Sequence, residues 1–150
     1  MQITIENEEA MLQLAGDVAR ASRPGACIGL QGNLGAGKTT FARGFLRALG
    51  FGGPVKSPTY TFVEPYEWGE HIVYHFDLYR LHHPRELHTI GIEEYCHSHA
   101  LCLIEWPEKG GAFVSLDVLI QFILTAEKRS LTFQANTDAG RALLQSLKFN

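Results

Sequence analysis

No apolar run in this 150-residue sequence approaches the ~20 residues needed to cross a bilayer, and the opening Met1-Gln2-Ile3-Thr4-Ile5-Glu6 has neither a basic leader region nor a long apolar one. No membrane span or export is therefore expected, and the chain is read as cytoplasmic. Cysteine is scarce. Cys27, Cys96 and Cys102 are an odd number without C-x-x-C spacing, which suits reduced thiols better than a disulfide framework. Cys27 and Cys102 lie in apolar runs and are expected in the core. Basic charge is also short: 13 Lys and Arg against 16 Asp and Glu give a formal net charge of −3, too little for a broad basic face, so any nucleic-acid role is expected to be indirect. Repeats, low-complexity tracts and charge blocks are absent. With 45% hydrophobic residues the chain is not disordered, and residues 1–150 are expected to form one domain.

What is present is a string of short elements. Gln2 to Ile5 can form an edge strand. Asn7 is placed to cap a helix from about Glu8 to Ala21, where Glu8 and Glu9 suit the positive first turn and Met11, Leu14, Ala15, Val18 and Ala19 recur at helical spacing. After the Ser22-Arg23-Pro24-Gly25 turn, Ala26 to Leu30 is nearly all apolar or small, the pattern of a strand buried on both faces. A glycine-rich loop follows, then a helix from Lys38 to Leu49 with Phe41, Phe45, Leu46 and Leu49 on one face and Gly50 just beyond. Tyr60 to Tyr66 and His71 to Phe76 read as strands joined through Trp68-Gly69-Glu70. Pro84 to Ile90 and Ile92 to Tyr95 are short helices, Ala100 to Ile104 is a buried strand, and Pro107 to Gly111 is a loop. Asp117 to Thr125 and Leu131 to Ala135 form a hairpin around Glu127-Lys128-Arg129, before a helix from Asp138 to Leu147. The mixture implies an α/β sheet with parallel and antiparallel parts.

One motif carries chemistry. Gly32-Asn33-Leu34-Gly35-Ala36-Gly37-Lys38-Thr39 fits G-x-x-x-x-G-K-[ST] and lies between an apolar strand and an amphipathic helix, the context a phosphate-binding P-loop requires. Its glycines let backbone N–H groups turn inward as an anion nest, and the helix that starts near Lys38 adds its positive end. Lys38 is expected to reach the β- and γ-phosphates of a nucleotide and Thr39 to offer a hydroxyl to Mg²⁺. An acidic partner at a strand end should complete the Mg²⁺ shell, and Asp77 and Glu105 both end apolar strands. Ser57-Pro58-Thr59 sits where nucleotide switches sense the γ-phosphate, although an ordinary proline turn fits equally well. His82, His83, His88, His97 and His99 gather without H-E-x-x-H or Cys/His pairing, so zinc is not expected. Trp106-Pro107 can be an anchor, a partner contact or simple packing.

Two other functions share these features. A small-molecule kinase would need an arginine-rich lid, and only Arg80 and Arg85 fall close together after the P-loop helix. An ATP-dependent regulatory switch is harder to separate from a slow ATPase, whereas the absence of N-K-x-D disfavours a GTP switch.

Beyond the P-loop, Lys56-Ser57-Pro58-Thr59-Tyr60-Thr61, His75-Phe76-Asp77-Leu78-Tyr79-Arg80-Leu81 and Ile104-Glu105-Trp106-Pro107-Glu108 stand in an order and spacing that resembles the TsaE (YjeE) family over about residues 7 to 140. The resemblance implies an ATPase of tRNA threonylcarbamoyladenosine (t6A) synthesis that works with a TsaB–TsaD pair, meets tRNA only indirectly, and uses ATP and Mg²⁺. It also implies a P-loop fold, a three-layer sandwich whose mixed sheet has a parallel core flanked by antiparallel strands. Carried over by position, it makes Asn7, Gly32, Leu34, Gly35, Ala36, Gly37, Lys38, Thr39, Thr40, Thr59 and Arg129 nucleotide contacts. Thr39 and Glu105 become the Mg²⁺ residues, and Asp77 with Lys38 the catalytic ones. By their own sequence context Asn7 reads only as a helix cap and Arg129 as a solvated turn residue. Asn33 replaces the family's common Asp, which removes a charge near the phosphates but no backbone donor.

Overall fold

The computed structural model describes residues 1–97 and 99–147. In chain order the elements are β1 (Gln2–Ile5), α1 (Glu8–Ala21), β2 (Cys27–Gln31), α2 (Lys38–Ala48), β3 (Val63–Trp68) and β4 (His71–Asp77). They continue with α3 (Arg85–Ile90), α4 (Ile92–Tyr95), β5 (Leu101–Glu105), a 3₁₀ helix (Pro107–Phe113), β6 (Val118–Leu124), β7 (Arg129–Ala135) and α5 (Asp138–Ser146). The local chemistry accounts for most boundaries. Asn7 caps α1, its Oδ1 accepting from Ala10 N at 2.8 Å, with Glu8 and Glu9 in the first turn and Arg20 in the last. At the end of α2, Gly50 N donates to Arg47 O and Phe51 N to Leu46 O, both at 3.0 Å, the paired bonds of a Schellman motif.

One seven-stranded sheet runs in the order β1-β7-β6-β2-β5-β4-β3. Strands β6, β2, β5 and β4 are parallel to their neighbours, while β7 and β1 extend one edge antiparallel and β3 pairs antiparallel with β4 at the other. The expected parallel core with antiparallel flanks is therefore present. Side chains alternate between two covered faces. Ile28, Leu30, Leu101 and Leu103 join α1, α2 and α5 through Met11, Phe41, Phe45 and Leu143. Cys27, Cys102, Ile104 and Phe76 face the thinner layer that holds Leu87 and Ile92 of α3 and α4. A Cβ on Gly44 would lie 2.9 Å from Leu12 O and 3.0 Å from Ala15 Cβ, so glycine lets α2 lie tight against α1. No described helix is long and apolar enough to cross a membrane.

Three expectations on elements are corrected. The strand expected from Tyr60 begins only at Val63, because Phe62 takes a left-handed conformation (φ 66°) and Tyr60 turns outward, 80% exposed. The segment after Pro107 is a 3₁₀ helix rather than a loop, with proline in its first turn and a break at Gly111. Arg129 is half-buried at the start of β7, opposite both Ile5 and Leu124, so it is not a solvated turn residue.

Candidate functional site

Register builds the site. Leu30 of β2 and Asp77 of β4 both pair with Glu105 of β5, so three parallel strands end level. The loop leaving β2, the carboxylate ending β4 and the one ending β5 are thus set side by side at the C-terminal edge of the sheet, the usual ligand position in open α/β sheets.

The Gly32–Gly37 loop turns directly into α2. Gly37 has φ 111°, and a Cβ there would come within 2.9 Å of Met11 Cε, so this position admits glycine alone in comfort. Ala36 is buried, whereas Leu34 is exposed. Thr39 is exposed in the first turn of α2 and Thr40 is half-buried behind it. Lys38 is buried; its Nζ donates to Gly32 O and lies 4.0 Å from the centroid of the Trp106 ring. Burial lowers the Lys38 pKa, and the charges of Glu105, Asp77 and Glu108 act against that shift. Trp106 itself is in the left-handed region (φ 57°), held by a 3.2 Å bond from its N–H to Leu30 O and by packing on Tyr79. Backbone strain of this kind needs surrounding structure to maintain it.

Both strand-end carboxylates are buried, and their surroundings differ. Glu105 Oε2 lies 2.6 Å from Nε2 of the fully buried His75, which holds the carboxylate in one orientation. Asp77 Oδ1 accepts from Tyr79 N at 3.0 Å and Oδ2 from Thr59 Oγ1 at 3.3 Å; Thr59 Oγ1 is also 2.7 Å from Ser57 Oγ. Burial raises the Asp77 pKa, the Tyr79 N–H opposes the rise, and Glu105 adds to it. The Ser57–Thr59 turn is therefore tied to Asp77.

On the other side of the loop, a cleft of about 530 Å³ is lined by residues from Thr4 to Asn7 and from Leu124 to Arg129. Arg129 reaches out of it, Nη2 donating to Gly35 O at 3.4 Å, while its buried Nε has no hydrogen-bond partner. A guanidinium donor left open beside a glycine nest fits an anionic ligand. Asn7 lines the same cleft with its Oδ1 engaged in capping α1.

The structure thus gathers Lys38, Asp77, Glu105 and Thr59 on one side of the loop and Arg129 and Asn7 on the other. Two contributors were missed in the sequence. His75 could have been found, since it stands two residues before Asp77 on one strand face, but its pairing with Glu105 depends on β4 lying next to β5. Trp106 was noted only as an anchor or packing residue, and its place over Lys38 follows from a backbone conformation that its residue type does not announce. The five histidines stay outside the site. Among the described residues no three His, Cys, Asp or Glu side chains form a group able to hold a metal alone, a fact compatible with Mg²⁺, which needs one or two protein oxygens.

Comparison with known proteins agrees with this architecture. The family model described as threonylcarbamoyl adenosine biosynthesis protein TsaE matches residues 5–140. The tRNA threonylcarbamoyladenosine biosynthesis protein TsaE of Haemophilus influenzae is 45% identical over 118 residues, 78% of this chain and 75% of that protein. Its namesake in Bacillus subtilis is 41% identical over 100 residues, 67% of this chain but only 62% of the relative's length. The crystal structure of Bacillus subtilis YdiB superposes with a TM-score of 0.82 at 29% identity, covering 98% of this chain and 93% of that one. A family match across most of the sequence, together with relatives of this similarity, establishes that the chain belongs to the TsaE family of proteins of tRNA threonylcarbamoyladenosine biosynthesis.

Proposed function

We propose that the chain is a Mg²⁺-dependent ATPase of t6A formation, a single P-loop domain working in the cytoplasm with a TsaB–TsaD pair and meeting tRNA only through its partners. The observation that carries this reading is the level ending of β2, β5 and β4, which brings a glycine nest, Lys38 and two buried carboxylates to one edge. The donor set fits the ligands. Backbone N–H groups of the loop and the start of α2 face an anion, Lys38 supplies a mobile positive charge, and Arg129 keeps a free buried donor. Thr39 and Glu105 would hold Mg²⁺, which when bound neutralises phosphate charge.

The chain's own residues divide the remaining work. His75 fixes Glu105, so the carboxylate is presented without rotational search. Asp77, joined through Thr59 to the Ser57–Thr59 turn, is the group that orients water, and its raised pKa makes it a better proton acceptor than an exposed Asp. Lys38 leaves the Gly32 carbonyl and the Trp106 ring to meet phosphate. The net charge of −3 leaves little counterion-release energy for bare tRNA, and a partner complex is the natural source of a basic surface.

The test is ATP hydrolysis by the chain alone and mixed with TsaB–TsaD, with and without Mg²⁺, alongside a screen of metabolite acceptors. Slow Mg²⁺-dependent hydrolysis that rises on mixing is expected. Phosphate transfer to a metabolite, or no response to the partners, would replace this reading with a kinase.

A further inference from the structure

The three cysteines meet. Cys27 of β2 and Cys102 of β5 are register partners on the sheet face covered by α3 and α4, 7% and 1% exposed. Cys96, the first residue beyond α4, is exposed, and its side chain is hydrogen-bonded to both buried thiols. Cys102 Sγ also lies 3.7 Å from the carbonyl oxygen of Tyr95, the neighbour of Cys96. All three are free cysteines, and no group of His, Cys, Asp and Glu among the described residues is placed to hold a metal. Chain segments far apart in sequence thus deliver one accessible sulfur and two buried ones to a single point.

We propose that this cluster is an oxidation site, at which a hydroperoxide converts Cys96 to a sulfenic acid and Cys102 then closes a Cys96–Cys102 disulfide. In the first step the Cys96 thiolate attacks a peroxide oxygen. An S–O bond forms, the O–O bond breaks, and the departing hydroxide takes a proton to become water. In the second, the Cys102 sulfur attacks the Cys96 sulfur; the S–S bond forms, the S–O bond breaks, and the hydroxyl leaves with the Cys102 proton as a second water. Two thiols are oxidised by two electrons in all and one hydrogen peroxide is reduced.

Local chemistry favours Cys96 as the first sulfur. Hydrogen bonds from Cys102 and then Cys27, with a smaller contribution from His97, hold its thiol down to about 4 against the opposing effect of burial. The same bond pushes Cys27 and Cys102 up, so both stay protonated while Cys96 carries the charge. That restraint is lifted in the second step, because a neutral sulfenic acid no longer repels a thiolate at Cys102. Cys102 is the resolving partner since it makes the larger contribution at Cys96 and is already bonded to the adjoining carbonyl. The product ties the end of α4 to the strand that ends in Glu105.

The experiment treats the reduced full chain with equimolar hydrogen peroxide, alkylates remaining thiols, and maps peptides by mass spectrometry. A Cys96–Cys102 linked pair, lighter by the two hydrogens lost and restored by dithiothreitol, is expected. Cys96→Ser should stay reduced at the same dose, and Cys102→Ser should accumulate a dimedone-trappable sulfenic acid at Cys96. If Cys96 in the unmodified chain reacts no faster than Cys27, or if its disulfide joins Cys27 instead, the proposal is overturned. The unmodified chain decides the matter without relying on the folding of either variant.

Discussion

The interface of α1 with α2 and the C-terminal edge of the sheet are both buried, and they are buried for different reasons. Between the helices, Met11, Phe41 and Phe45 are fully enclosed, and Gly44 brings the backbones close. Each such side chain removed from water contributes about 1.5–3 kcal/mol. At the sheet edge lie Lys38, His75, Asp77 and Glu105, four of the five buried polar or charged residues among those described. Burying charge costs several kcal/mol per ion before pairing repays any of it. The first region holds the fold together, while the second is maintained at its expense, which marks it as the place where function is concentrated.

The contrast can be broken from either side. Phe45→Ala should have the largest effect, lowering stability by about 3–5 kcal/mol in chemical denaturation, since it empties a packed site. A loss below ~1 kcal/mol would mean that the helix interface is not the stabilising region. His75→Ala should cost less, about 1.5–3 kcal/mol, because it leaves Glu105 without its hydrogen-bond partner. His75→Gln should recover part of the loss if orientation of the carboxylate is what the imidazole provides. Asp77→Asn should have the smallest effect, with the opposite sign. Because burial raises the folded-state pKa, the native chain holds a proton that the unfolded chain releases, and wild-type stability falls as pH rises upward from the ordinary value of 3.8. The asparagine variant should therefore be slightly more stable than wild type at neutral pH and lose that advantage below 3.8, as denaturation at the two pH values would reveal.

The same contrast explains what the sequence disclosed. Apolar periodicity located α1 and α2, and continuous apolar runs located β2 and β5, because burial leaves a regular imprint on residue type. The glycine loop and both strand-end carboxylates were legible too, since their spacing is local. Phe62 and Trp106 were not, because left-handed conformations at aromatic residues are imposed by neighbours and not by propensity. The pairing of His75 with Glu105, and of Cys96 with two buried thiols, requires knowing which strands are adjacent. Asn7 and Arg129 came from family resemblance alone, and the open Nε of Arg129 beside the loop is a feature that only the fold reveals.

The most direct test of the contrast is calorimetric ATP titration of Lys38→Ala with Mg²⁺ present, paired with its unfolding curve. Burial lowers the Lys38 pKa, so the native state disfavours this charge and removing it should leave stability unchanged or raised. Binding should instead weaken by roughly 10- to 100-fold, the worth of a hydrogen bond to a charged phosphate. Unchanged ATP affinity, with or without a loss of stability, would contradict the claim that this edge is kept for nucleotide binding.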